Sequence, residues 1–128
     1  MLADVGPLYA AVDPSDLHHQ QALRELQRLS QDRCNVIVSF STLLEVHSLV
    51  LRKIRRSVAL RWLKEMADAT LINPTPEDYR QASARLADFA DRSITLFDAT
   101  LAVLALRTGL RVWTYDHHFE AMRIPVWR

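Results

Sequence analysis

Four acidic residues stand where this chain would place chemistry: Asp4, Glu45, Asp98 and Asp116. Asp4 closes the apolar opening "MLADV", and Glu45 lies about one turn beyond the β-branched run "NVIVS". Asp98 falls in the first turn of "LFDATLAVLALRTG", and Asp116 comes just after "LRVWT", inside "TYDHHF". Singly, each has an ordinary role. Asp4 can serve the helix opening at Pro7, and Asp98 can complement a helix dipole. Glu45 is harder to account for, because Leu43, Leu44 and Val46 surround it and its helical position groups it with Thr42 and Leu49 toward a sheet. Jointly the acids imply more. Carboxylates about 5 Å apart at an effective dielectric of about 20 repel by roughly 3 kcal/mol per pair, so three or four together cost on the order of 10 kcal/mol. That rivals the net stability of a domain. Such a cluster needs protons or a cation, and hard divalent ions with oxygen ligands fit: Mg²⁺ or Mn²⁺.

"TYDHHF" also offers histidines, so a metal site, a histidine pair and a polar turn compete there. His117 and His118 are adjacent and are expected to point apart, with no HExxH arrangement or paired cysteines beside them, which disfavours zinc. The histidines are then expected to be bystanders to any metal chemistry. No serine sits in a GxSxG elbow. The only glycines, Gly6 and Gly109, mark junctions, which excludes a phosphate-cradling loop.

The elements that must carry these acids alternate strand and helix. "MLADV", "NVIVS", "TLINP" and "LRVWT" read as strands and "PVW" as a last one. Between them lie helices over "GPLYAAVD", over the Leu23, Leu26 and Leu29 stripe capped by Ser15 or Asp16, and over "TLLEVHSLVLRK" from Ser41 or Thr42. Further helices follow: one opened by Ser57, one capped by Thr75 with Pro76 in its first turn, and one stopped by Gly109. This order predicts an α/β fold, a mostly parallel sheet of four to five strands with helices on both faces. Ligands in such sheets bind beyond the carboxyl ends of the strands, where the strand order reverses. If the halves meet at the first strand, the four acids share one cleft. Trp62, Trp113 and Trp127 are expected in the core.

The 128 residues suffice for one domain, 1–128, and a hydrophobic content of 49% with 24% charged residues is that of a globular chain. One cysteine, Cys34, points to a reducing compartment, and the N-terminus lacks a basic signal region, so the cytoplasm is expected and no membrane span is. Formal net charge is +1, yet the basic residues are nearly all arginine. Arg52, Lys53, Arg55 and Arg56 form the one dense cluster, either a solvated helix end or a patch for phosphates or acidic side chains.

The opening "LADVGPLYAAVDPSDLHHQQAL", the middle "VSFSTLLEVHSLV", the segment "SITLFDATLAVLALRTGL" and the closing "TYDHHF" together resemble the PIN-domain family, specifically the VapC-type toxins of bacterial toxin-antitoxin pairs. The likeness runs in order along nearly the full chain. It implies a PIN-like three-layer sandwich in which Asp4, Glu45, Asp98 and Asp116 are the acidic metal-binding and catalytic positions, with Thr114 at the small hydroxyl position before the last acid. It further implies an endoribonuclease dependent on Mg²⁺ or Mn²⁺, cutting RNA in single-stranded or loop regions, a cognate VapB-like antitoxin, and a homodimer. Arg52, Lys53, Arg55 and Arg56 would contact either RNA or antitoxin. The chain departs from the family pattern at Val5, where Thr or Ser often follows the first aspartate, so one hydrogen bond to that acid is expected to be missing. Asp91 is either an auxiliary acid or a surface residue. A non-catalytic PIN-like scaffold that binds a partner is the alternative reading. A phosphate-receiving signalling domain would want a lysine where this chain has Thr114.

Overall fold

The computed structural model describes residues 1–90 and 93–128; Asp91 and Arg92 lie outside the described residues, and with them the auxiliary acid expected at Asp91. The chain runs β1 (Leu2–Ala3), α1 (Val5–Val12), α2 (His19–Gln31), β2 (Ile37–Ser39), α3 (Phe40–Lys53) and α4 (Arg56–Glu65). After a 3₁₀ turn at Met66–Asp68 come β3 (Thr70–Ile72), α5 (Pro76–Ala87), α6 (Leu96–Thr108), β4 (Val112–Trp113) and α7 (His118–Ala121). The strands pair in the order β3-β2-β1-β4, every pairing parallel. β1 is therefore where the order reverses, which meets the condition on which the four acids were expected to share one cleft.

Alternation along the strands divides the interior in two. Ala3 and Trp113 face one cluster with Leu8, Val46, Val50 and Trp62, whereas Leu2 and Val112 face the other with Leu101, Leu104, Phe119 and Ile124. Successive side chains of a strand point to opposite faces, so α1 to α4 cover one face and α6 and α7 the other. α6 is apolar almost all round because Ala99 to Ala105 are buried between the sheet and α5. It ends at Gly109, whose φ of 70° is the left-handed conformation that a side chain disfavours.

Local chemistry moves several expected boundaries. Ser15 and Asp16 do not cap α2: the Asp13 carboxylate accepts from Ser15 and the Asp16 carboxylate from the His18 amide, folding a turn that postpones the helix to His19. α3 begins at Phe40, directly off β2, earlier than Ser41 or Thr42. The expected last strand at "PVW" reduces to one bridge, Val126 to Val112. Pro125 has no N–H to extend the pairing. Trp62 and Trp113 are core residues as expected, and Trp127 packs edge-on against Trp113 with the Arg28 guanidinium over its ring.

α5 opens with the predicted cap. The Thr75 hydroxyl accepts from the Asp78 amide while the Asp78 carboxylate accepts from the Thr75 amide. Buried Asp78 also receives two bonds from Arg107 of α6, at 2.9 and 2.8 Å, which ties α5 to the far end of the helix that carries Asp98. Arg107→Met removes both donors from a buried carboxylate and is expected to lower unfolding free energy by about 2 kcal/mol in a urea titration.

Candidate metal centre

Four separate elements deliver one acid each to the carboxyl end of the sheet. Asp4 follows β1 and is the N-cap of α1, Glu45 is on the second turn of α3, Asp98 is in the first turn of α6, and Asp116 follows β4. All four line one pocket of about 540 Å³, with Thr95, Tyr115 and His117 also on its wall. Asp4 and Asp98 are buried at 6% and 9% exposure, deep in the pocket, and Asp116 is partly buried. Glu45 is exposed, so it stands at the rim rather than against the sheet beside buried Thr42.

Hydrogen bonds fix the positions of Asp4, Asp98 and Asp116. Asp4 Oδ1 accepts from the Val5 amide at 2.8 Å and Oδ2 from the Thr114 hydroxyl at 2.7 Å. Val5 has no hydroxyl, but its backbone N–H and Thr114 leave neither oxygen of Asp4 without a donor. The same Thr114 oxygen accepts from the Asp116 amide at 2.9 Å, so one hydroxyl joins the acid of β1 to the loop after β4. Asp98 is the partner of Thr95 in a second capping box, its Oδ2 accepting from the Thr95 amide at 2.9 Å. Its dipole-complementing role and its place in the pocket are the same position. Among the described residues, no arginine or lysine pairs with any of the four.

Electrostatics follow from this crowding. Burial first, together with the charges of Asp98 and Asp116, raises the Asp4 carboxyl to about 6, against the lowering pull of Thr114 and Val5. Burial and then the Asp98 charge also raise Glu45. Anionic oxygen donors that repel one another when bare suit a hard dication, and Asp98, Asp116 and His118 each present one ligand atom within 4.8 Å of the others.

The third of these was not expected. His117 and His118 do not point apart; their ring centroids lie 4.6 Å from each other. His117 is exposed, but His118 turns inward, with Nδ1 3.0 Å from Asp116 Oδ2 and 4.0 Å from Asp98 Oδ2. The backbone explains it: the His118 amide donates to Asp116 Oδ1, a turn that folds the ring back over the acid, so positions i and i+2 meet. The Asp-x-His spacing was the available signal. Glu25 of α2 was also missed. Its Oε2 accepts from both Trp113 Nε1 and the Tyr115 hydroxyl at 2.6 Å, clamping α2 onto the strand and loop that lead to Asp116. The two-residue spacing of Trp113 and Tyr115 places both on one side of an extended chain.

The basic cluster does not enter the pocket. Arg52 shares a groove along α3 with Glu45, about 10 Å away along the axis. Lys53 lies over the Tyr9 ring at 5.5 Å, and Arg55 and Arg56 are exposed at the turn into α4.

A family profile described as the PIN domain matches residues 1–125. No curated protein matches the sequence. Solved structures that share the fold include the following three. VapC20 of Mycobacterium tuberculosis, a Sarcin-Ricin loop cleaving toxin, is 21% identical with a TM-score of 0.84 over 99% of this chain and 98% of that one. VapBC2 of Rickettsia felis, bound to a DNA fragment from their promoter, is 15% identical with a TM-score of 0.73 over 100% and 98%. FitAcB of Neisseria gonorrhoeae is 17% identical with a TM-score of 0.70 over 99% and 96%. No helix among the described residues is long and apolar enough to cross a membrane.

Proposed function

The chain belongs to the PIN domain family, and on that premise we propose that it is a VapC-like endoribonuclease toxin, dependent on Mg²⁺ or Mn²⁺ and neutralised by a cognate antitoxin. One observation carries the reading: acids from four elements meet in one pocket without a neutralising arginine or lysine among the described residues. The fold likeness to VapC20, a Sarcin-Ricin loop cleaving toxin, supports RNA as the substrate, cut internally where bases are unstacked.

Asp4, Asp98 and Asp116 would hold the dication, and Glu45 at the rim would hold a second ion or orient the attacking water. When bound, a dication lowers the pKa of water and offsets charge on the phosphate oxygens. The chain's own part is positioning. Thr114 and the Val5 amide fix both oxygens of Asp4, and the Thr95 cap fixes Asp98. Glu45, whose carboxyl is raised by burial and by Asp98, holds a proton more readily than an ordinary exposed carboxylate, which suits a group that takes one from water. In-line displacement of the RNA 3′-oxygen by water needs no covalent bond to the protein. Arg52, in the groove that leads away from Glu45, is the best placed of the basic cluster to follow the RNA backbone; Lys53, Arg55 and Arg56 are better placed for an antitoxin's acidic side chains. A homodimer is part of the same reading.

The test is incubation of the protein with stem-loop and single-stranded RNA in Mn²⁺ or Mg²⁺, with and without chelator, followed by mapping of the new ends. Internal cuts that vanish with chelator are expected; intact RNA of both kinds in both ions would leave the partner-binding scaffold. Thr114→Val tests the support of Asp4. It removes the donor at 2.7 Å and the acceptor for the Asp116 amide, and is expected to slow cleavage about 10- to 100-fold.

A further inference from the structure

We infer that His118 belongs to the cation's ligand set through Nδ1, and that this nitrogen tilts the pocket toward manganese over magnesium. The inference rests on the nuclease reading and adds a ligand chemistry that four carboxylates do not supply. Nδ1 faces both Asp116, at 3.0 Å, and Asp98, at 4.0 Å, and the side chain is only 12% exposed. Two restraints from the described residues hold it there. The His118 amide is bonded to Asp116 Oδ1 at 2.9 Å, and ring Nε2 lies 2.7 Å from the Ser93 hydroxyl.

The Ser93 contact makes the nitrogen usable. With its proton on Nδ1, the ring donates to Asp116 and accepts from the Ser93 hydroxyl at Nε2. With its proton on Nε2, the ring donates to the Ser93 oxygen, and the Nδ1 lone pair points at two carboxylates. The second arrangement is repulsive unless a cation lies between, and a cation there makes it the better one. A hydroxyl that both donates and accepts therefore lets the ring exchange tautomers without losing this partner. Metal-bound histidines are commonly oriented by a hydrogen bond at the other ring nitrogen, and Ser93 offers one. Among the described residues His117 has no such hold: its side chain is 82% exposed and its Nδ1 is 3.8 Å from Asp116.

Imidazole suits first-row transition dications, whereas Mg²⁺ favours an all-oxygen octahedron. His118→Gln is therefore expected to weaken Mn²⁺ about 10-fold in a calorimetric titration and Mg²⁺ by less than about twofold.

The direct test is electron spin echo modulation of the full chain loaded with stoichiometric Mn²⁺. Modulation from a directly bound nitrogen is expected, shifting in frequency when histidine is labelled with nitrogen-15. It should survive in His117→Ala and vanish in His118→Gln, whose fold is checked by circular dichroism. Mn²⁺ bound in a manner sensitive to Asp98→Asn, but with no nitrogen modulation, overturns the ligand assignment and leaves the nuclease reading intact. Modulation that persists in His118→Gln also overturns it. Failure of wild-type protein to bind Mn²⁺ overturns both. The labelled wild-type spectrum decides whether any histidine binds even if His118→Gln does not fold.

Discussion

Asp98→Asn is expected to lose more than about 100-fold in RNA cleavage and, in chelator at pH 7.5, to melt higher than the wild-type protein. The first effect follows from placing Asp98 on the cation, since groups that merely support a metal ligand already cost about 10- to 100-fold when removed. The second follows from its neighbours. Asp98 raises the carboxyls of both Asp4 and Glu45, so deleting its charge relieves repulsion felt at two other positions. The asparagine carbonyl can still accept from the Thr95 amide, which preserves the capping box; the lost charge–dipole attraction costs about 0.3–1 kcal/mol. A net gain of about 1 kcal/mol corresponds to roughly 4 °C for a chain of this length. Thermal melts with chelator and with Mn²⁺ separate the two effects, and the ranking should reverse when the ion is added. A variant that melts lower in chelator would mean that Asp98 is held chiefly as a cap.

The second large effect concerns pH. The Asp4 carboxyl is raised from 3.8 to about 6 in the folded chain. Below pH 3.8 it is protonated in both folded and unfolded chains and favours neither. Between about pH 4 and pH 6 the unfolded chain has given up this proton while the folded chain retains it, so stability falls as pH rises. Beyond pH 6 the loss is complete. The interval of 2.2 between 3.8 and 6, at 1.36 kcal/mol for each pH unit, gives about 3 kcal/mol. In chelator, the wild type is therefore expected to lose stability relative to Asp4→Asn by up to that amount between pH 4 and pH 7.5. Mn²⁺ competes with the proton for the same oxygens, so its stabilising shift should be several-fold larger at pH 7.5 than at pH 5. Equal shifts at both pH values in melts followed by circular dichroism would remove Asp4 from the ion's ligands.

Legibility in the sequence followed the range of the interactions. The strand-helix alternation, the Thr75 cap with Pro76, the Gly109 stop and the parallel pairing were readable because each depends on near neighbours or on a general rule of parallel sheets. The convergence of Asp4, Glu45, Asp98 and Asp116 was readable for the same reason: each follows a strand or opens a helix at one end of the sheet. The turn from Asp13 to His18 was not, since a carboxylate that accepts a nearby amide can delay a helix as readily as begin one. The direction of the His118 ring was misjudged because adjacent side chains diverge in regular backbone, and the backbone there is a turn. The Glu25 clamp was beyond reach: it joins residues 88 and 90 positions apart, and no local pattern records that.

The Thr114 hydroxyl spans 110 positions to reach Asp4, and the acid that completes the pocket is two residues further on. This imposes an order in time. A ribosome releases the start of the chain first, so Asp4 emerges long before Thr114 and Asp116 are made, and the centre closes only once the last part of the chain has been released.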